Sequence, residues 1–219
     1  MEEFKIRASS CGEIMGKRGL GKTGETQVKE WLIDEIFERR KTFSNKFTKK
    51  GDLSENGSIN FISEQLGFEG LTKNEDFFSN DFMHGTPDVI TNDVVIDVKN
   101  SWDCYTFPFF EKQIPNMDYY WQAQVYMEIV GIDKYLLIYV LSDTPQFLIE
   151  RESFYWCRDN GVEDKEGEML RRFENRMTYS DIEDKDRIRV FEIDKNPKDI
   201  KLIVERVEEC RKLIDSLNN

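Results

Sequence analysis

No apolar run in these 219 residues approaches the ~20 needed to cross a bilayer. The opening Met1-Glu2-Glu3-Phe4-Lys5 is acidic and carries no apolar segment, so it does not read as a secretory signal. The expectation is a soluble, cytoplasmic protein without a membrane partner. Cysteine is scarce: Cys11, Cys104, Cys157 and Cys210 are scattered with no CxxC spacing, which disfavours zinc and iron–sulfur sites and fits free, partly buried thiols. Histidine is scarcer, with His84 alone. Beside Gly85 on a strand, it reads as structural or substrate-facing rather than as a metal ligand. Positive charge is also short. Lysine and arginine total 31 against 43 acids, a net charge of −12, which argues against coating nucleic acid by bulk electrostatics. A local basic groove is still open to it, because basic residues cluster over Lys17–Lys22 and Arg39–Lys50.

What the chain does have is material for a core: 39% hydrophobic residues, with 16 Phe, 8 Tyr and 4 Trp, so disorder is expected only at the ends. No repeat, low-complexity linker or boundary divides it, which predicts one domain over residues 1–219. Helical spacing of Val28, Trp31, Leu32, Ile36 and Phe37 predicts a helix from Thr26 to about Arg40. A second helix is expected over Leu53–Leu66, with Leu53, Ile59, Phe61, Ile62 and Leu66 inward. Strands follow at Phe82–His84, Asp88–Ile90 and Val94–Val98, the last two joined by a turn at Thr91-Asn92-Asp93. A helix over Asp118–Val130 presents Tyr119, Gln122, Tyr126 and Ile129 near one face. Beyond it the pattern predicts a strand at Lys134–Leu141, with Gln146–Glu150 as its pairing partner. A charged helix at Glu163–Thr178, a strand at Ile188–Ile193 and a helix at Pro197–Leu217 complete an α/β sandwich around a mixed sheet.

Three short stretches form a chemical set: Glu55, then Gly85-Thr86-Pro87-Asp88, then Asp97-Val98-Lys99. Asp97 and Lys99 are two apart and share a strand face. A buried Val94-Val95-Ile96 strand that ends in an acid and a lysine costs free energy unless the charges are used. Hydrolysing a phosphodiester needs an activated water and relief of phosphate charge, which one or two Mg²⁺ ions provide. Mg²⁺ keeps several waters, so two or three carboxylates suffice. Asp88 and Asp97 supply a pair, the Val98 carbonyl a further ligand, and Glu55 completes the shell. Mn²⁺ is an acceptable substitute. Lys99 is placed to orient or help deprotonate the attacking water, or to hold charge developing on the phosphate. Gln122 and Tyr126, four apart on one helix face, are placed to reach a phosphate or that water.

Together these residues resemble the PD-(D/E)xK nuclease superfamily, and within it the branch of RecB-like nuclease domains, lambda exonuclease and YqaJ-type phage exonucleases. Glu55 in Lys50-Gly51-Asp52-Leu53-Ser54-Glu55 stands where that branch carries its helix glutamate. Asp88 and Asp97-Val98-Lys99 match its metal-binding core, and Gln122/Tyr126 match its Q-x-x-x-Y. Arg7-Ala8-Ser9-Ser10-Cys11-Gly12-Glu13-Ile14-Met15-Gly16 is similar to the A-S-x-x-x-x-x-G start of YqaJ-type proteins. Asp97 stands where many members have Glu. The resemblance covers about Arg7 to Val140. It implies a single nuclease domain with a restriction-endonuclease-like core at about residues 7–141, a central mixed β-sheet flanked by helices, and further helical and strand elements over residues 142–219. It also implies a Mg²⁺-dependent, phage-type DNA exonuclease acting on linear duplex ends in recombination, with 5′-to-3′ polarity. Arg7 and Ser9 would bind DNA, a single-strand annealing protein would be a partner, and a homo-oligomer, a trimer, would be the assembly. If phage-encoded, it would act in a bacterial host cytoplasm. An endonuclease or junction resolvase of the same superfamily, or an inactive DNA-binding scaffold, shares the core.

Gly16-Lys17-Arg18-Gly19-Leu20-Gly21-Lys22-Thr23 also fits GxxxxGK[ST]. A phosphate-binding loop of that kind needs a buried strand before it and a helix starting at the lysine. The preceding Ala-Ser-Ser-Cys-Gly-Glu-Ile-Met is a poor strand, and Gly24 is expected to interrupt the helix. The favoured reading is a flexible basic loop whose Lys17, Arg18 and Lys22 touch DNA phosphates.

Overall fold

Val95-Ile96 and Tyr135-Leu136-Leu137-Ile138-Tyr139-Val140 are the most apolar stretches of the chain, and they pair side by side at its centre. The computed structural model describes residues 3–39 and 46–218. Arg40 and Lys41 of the second basic cluster, and the expected last residue of the first helix, lie outside them. The elements in chain order are β1 (Ile6–Arg7), a 3₁₀ turn (Ala8–Ser10), α1 (Cys11–Ile14), α2 (Gly21–Phe37), α3 (Lys46–Leu66), β2 (Phe78–Ser79), β3 (Met83–Gly85), β4 (Val89–Ile90) and β5 (Val95–Asn100). They continue with α4 (Met117–Val130), β6 (Lys134–Val140), α5 (Gln146–Asn160), α6 (Glu168–Met177), a second 3₁₀ turn (Asp184–Arg187), β7 (Ile188–Asp194) and α7 (Pro197–Asn218).

The described strands form two mixed sheets. One has the order β4-β5-β6-β7, with β5 and β6 parallel and both outer pairings antiparallel; the other, smaller, has the order β1-β3-β2. The β4–β5 hairpin closes where expected: Thr91 N–H donates to the Val94 carbonyl and the Thr91 hydroxyl accepts from Val94 N–H, each at 3.0 Å. Helix α4 crosses from β5 to β6. Asn116 caps its start by accepting from Asp118 N–H at 2.9 Å, and Gly131 ends it at φ 80°.

Alternation along the larger sheet sends Val95, Tyr135, Leu137, Tyr139 and Phe191 to the face covered by α4 and α7. Ile96, Val98, Ile138 and Val140 go to the opposite face, where Ile59 and Ile62 of α3 cover them. The first of these cores draws on the chain from Phe4 to Ile214.

Several sequence expectations are corrected. Gln146–Glu150 is the first turn of α5, not a strand: Ile149, Ser153 and Cys157 are four apart and all buried, the signature of one helix face. The charged helix begins at Glu168 rather than Glu163, because Gly167 is left-handed at φ 68° and the Asp164 carboxylate accepts from Met169 and Leu170 N–H, both at 3.0 Å. Helix α3 already includes Lys46, and its Leu53 and Leu66 are exposed, as are Ile36 and Phe37 of α2. Gly24 does not interrupt α2. A Cβ there would lie 3.0 Å from Leu20 Cβ and 3.3 Å from the Glu13 carbonyl oxygen, so the glycine marks close packing on α1.

Candidate active site

Asp97 and Lys99 lie on the α4 side of β5, opposite Leu137 and Tyr139 of β6. Asp97 is 1% exposed, and Lys99 Nζ lies 2.6 Å from its Oδ2. The same oxygen accepts no aligned hydrogen bond among the described residues, so the contact is an ion pair. Gln122 Nε2 donates to Asp97 Oδ1 at 3.3 Å. The Lys99 ammonium also sits 4.8 Å from the centre of the Tyr119 ring. Burial opposes its charge, but Asp97 and Asp88 beside it raise its pKa above the ordinary lysine value.

Asp88 follows Pro87 at the entry to β4. Its Oδ2 accepts from Val98 N–H at 2.9 Å, which locks the Pro-Asp turn to β5 and brings the second carboxylate beside Asp97. Burial and the Asp97 charge hold the Asp88 carboxyl well above the usual carboxylate range. Tyr126 donates through its hydroxyl to the Thr86 carbonyl at 3.0 Å, fixing the same turn from α4. Burial, then Asp97, push the Tyr126 phenol up to about 12, so it stays a donor. Gln122 and Tyr126, expected to face a phosphate or a water, are directed in this structure at Asp97 and at the turn before Asp88.

Glu55 approaches from α3, close enough to act electrostatically on Asp88, but its carboxylate is paired with Lys73. Among the described residues no three acids, histidines or cysteines close into one metal-binding group. The observed cluster is a carboxylate pair with Glu55 held to one side. Two residues here had no signal in the sequence. Lys73 holds Glu55, and Asn74 donates its N–H to the Asp88 carbonyl at 2.7 Å and its side chain to the Pro87 carbonyl at 3.0 Å. Both sit in a segment without helical or strand periodicity.

Arg7 is exposed on β1, and Ser9 is exposed on the 3₁₀ turn that packs on α4 and β3. His84 lies in register with Arg7 on the small sheet, beside Phe77. Burial, then Arg7 and Lys5, lower its pKa. Lys17, Arg18 and Lys22 are exposed on the α1–α2 loop and the first turn of α2, where Arg206 of α7 bonds the Gly16 carbonyl. Helix α1, not a strand, precedes this loop, so the geometry of a phosphate-binding P-loop is missing.

The donor set fits a hard divalent cation. Two carboxylates crowd together in a buried place, hard oxygen donors of the kind such an ion takes, and Mg²⁺ needs few protein ligands.

No family model matches the chain, and no curated protein matches it by sequence. Solved structures do. A phage-related exonuclease from Haemophilus somnus 129PT superposes with a TM-score of 0.79 at 24% identity, covering 99% of this chain and 96% of that one. An alkaline exonuclease from Laribacter hongkongensis gives a TM-score of 0.69 at 14% identity, covering 98% and 90%. The same alkaline exonuclease in complex with dAMP gives 0.66 at 13% identity. The likeness runs through residues 142–219, where no motif was legible. By fold, the chain is one with the phage-related and alkaline exonucleases.

Proposed function

We propose that the chain is a Mg²⁺-dependent exonuclease that hydrolyses linear duplex DNA. The observation that carries this reading is the buried Asp88–Asp97 pair set against the Lys99 ammonium, in a fold it shares with exonucleases. Asp88, Asp97 and the Val98 carbonyl would hold the ion, with Glu55 joining from α3 once Lys73 releases it. When bound, Mg²⁺ supplies a Lewis acid that neutralises phosphate charge and acidifies a coordinated water.

The chain's own groups do the rest. Lys99 orients or helps deprotonate the water, or holds charge that develops on the phosphate. Gln122 keeps Asp97 in one orientation, and Tyr126 keeps the Pro87–Asp88 turn in place. Arg7, Ser9, Lys17, Arg18 and Lys22 contact the DNA backbone, giving a local basic surface on an acidic molecule. The finer reading adds 5′-to-3′ polarity, a trimer and a single-strand annealing partner in phage-type recombination, all by analogy to the branch its motifs resemble.

Digestion of linear and circular duplexes with Mg²⁺ tests it. Wild type should degrade linear DNA and spare circles, and Lys99→Ala should be slower by about 10²–10⁴-fold with its circular dichroism unchanged. Cut circles would point to an endonuclease. Linear DNA left equally intact by both proteins would end the enzyme reading.

A further inference from the structure

The outer face of the small sheet carries a row of basic side chains outside the carboxylate site. Alternation sends Ile6 and Met83 into the core, and turns Arg7 of β1 and His84 of β3 outward in register with each other. Lys5 stands two before Arg7 and shares its face. Its ammonium donates to the Ser79 hydroxyl on β2 at 3.3 Å. Because β3 lies between β1 and β2, the lysine chain crosses the middle strand to reach it. Ser79 is itself in register with His84, so the half-buried imidazole stands between a guanidinium on one side and an ammonium on the other.

Among the described residues no acid balances this row. The charged groups that act on His84 are Arg7 and Lys5, both cations. Phe77, whose ring centre lies 5.5 Å from that of the imidazole, and Ser79 bring no charge. Glu3, the nearest described acid along the chain before Lys5, is paired with Arg211 at 3.0 Å. On a molecule of net charge −12, two cations therefore meet at an imidazole without a carboxylate acting on it. Like charges so placed repel in the empty protein, and an anion seated among them removes that cost. The donors suit a phosphate, because a guanidinium fork, an ammonium and an imidazolium each make charge-assisted hydrogen bonds to its oxygens. Position says which phosphate. The chain runs from His84 through Gly85-Thr86-Pro87 to Asp88, so the two Cα atoms lie at most ~14 Å apart. Phosphates follow one another along a duplex strand at about 3.4 Å of axis, which puts the row within about four nucleotides of the carboxylate pair.

We infer that Lys5, Arg7 and His84 form one backbone-phosphate site, which holds the DNA strand within about four nucleotides of the scissile bond. This rests on the nuclease reading and joins Lys5 and His84 to Arg7. A seated phosphate favours the imidazolium, so His84 takes up a proton as DNA binds at acid pH. Affinity for a linear duplex in Ca²⁺, measured against salt at about pH 5.5 and pH 8, tests it alongside hydrolysis in Mg²⁺. Each variant is read against wild type at the same pH, which cancels other titrating groups such as Asp88. Lys5→Gln should flatten the slope of log affinity against log salt by up to about 1 at both pH values. His84→Asn should flatten it by up to about 1 at pH 5.5 and leave it unchanged at pH 8. If His84→Asn keeps the wild-type slope at pH 5.5, or flattens it equally at both, while Mg²⁺ still drives hydrolysis, the site is overturned and the nuclease stands. If the pH-dependent loss is seen but no DNA is cut, the site stands and the nuclease falls. If no DNA binds, both are overturned. Should His84→Asn fail to fold, Lys5→Gln decides alone, and an unchanged slope overturns the site.

Discussion

A Cβ on Gly85 would sit 2.6 Å from the Tyr126 ring and 3.0 Å from the Ala8 Cβ. The glycine that opens Gly-Thr-Pro-Asp is therefore a place where three parts of the chain meet: the N-terminal turn, the strand before Asp88 and helix α4. Gly85→Ala must displace the ring that donates to Thr86. It should cost about 1–3 kcal/mol in urea unfolding and lower hydrolysis along with it, because the Asp88 turn moves. A loss of a few tenths of a kcal/mol with full activity would show that the ring yields freely. The same residue-scale logic separates Lys99 from an ordinary surface lysine. Its partner Asp97 is buried, and breaking a buried pair from one side costs about 3–5 kcal/mol. The motif spacing made Asp97 and Lys99 legible. It could not show that Gln122 and Tyr126 serve Asp97 and the turn, because a helix-face spacing says which residues align and not what they meet.

At the scale of elements, α3 is the least conventional part of the molecule. It buries Lys50 fully against the loop after β5, and burial pulls that ammonium down to about 8 from its ordinary 10.5. Between these values the unfolded chain holds a proton that the folded chain has released, so stability rises with pH through the window and the penalty is complete below about 8. Across the whole window this group contributes on the order of 3 kcal/mol. Buried tyrosines act in the opposite sense above pH 10, since Tyr126 and Tyr139 hold their protons longer when folded. Buried Cys11 and Cys210 also hold their protons longer when folded and oppose the gain from about pH 9, so the lysine is read as a difference: the urea midpoint of wild type should rise relative to that of Lys50→Met from pH 8 to about 10. Equal slopes for the two proteins would show that Lys50 is charged in the folded state at pH 9. The sequence marked this lysine only as the end of a basic cluster and not as a buried group, because the pattern placed the helix start at Leu53 and left the preceding turn outside.

For the whole molecule, the net charge of −12 and the buried carboxylate pair act in the same direction, since both favour binding a cation. Mg²⁺ at a hundred times its Kd should stabilise the folded protein by about 2.7 kcal/mol. For a chain of this size that is a rise in Tm of several degrees, at roughly 2–4 °C per kcal/mol. Asp97→Asn should abolish the rise, as thermal scans with Mg²⁺ and with EDTA would show. An equal rise in the variant would place the ion elsewhere. Among the described residues, no helix is long and apolar enough to cross a membrane.

The sequence by itself determined the local terms. Periodicity set the central strands and α4, Thr91-Asn92-Asp93 set the hairpin, and the spacing of Asp97 and Lys99 put the acid and the lysine on one strand face. These are legible because each depends on neighbours a few residues away. Tertiary structure alone decided the rest. It paired Lys73 with Glu55 and so kept the third acid out of the carboxylate pair. It turned Gln146–Glu150 into helix and carried the fold through the last third of the chain. It also enclosed a cavity between Trp102 and Tyr179, whose walls come from segments some 77 residues apart. Such contacts depend on which surfaces bury one another, and that is a property of the packed molecule rather than of any short run of residues.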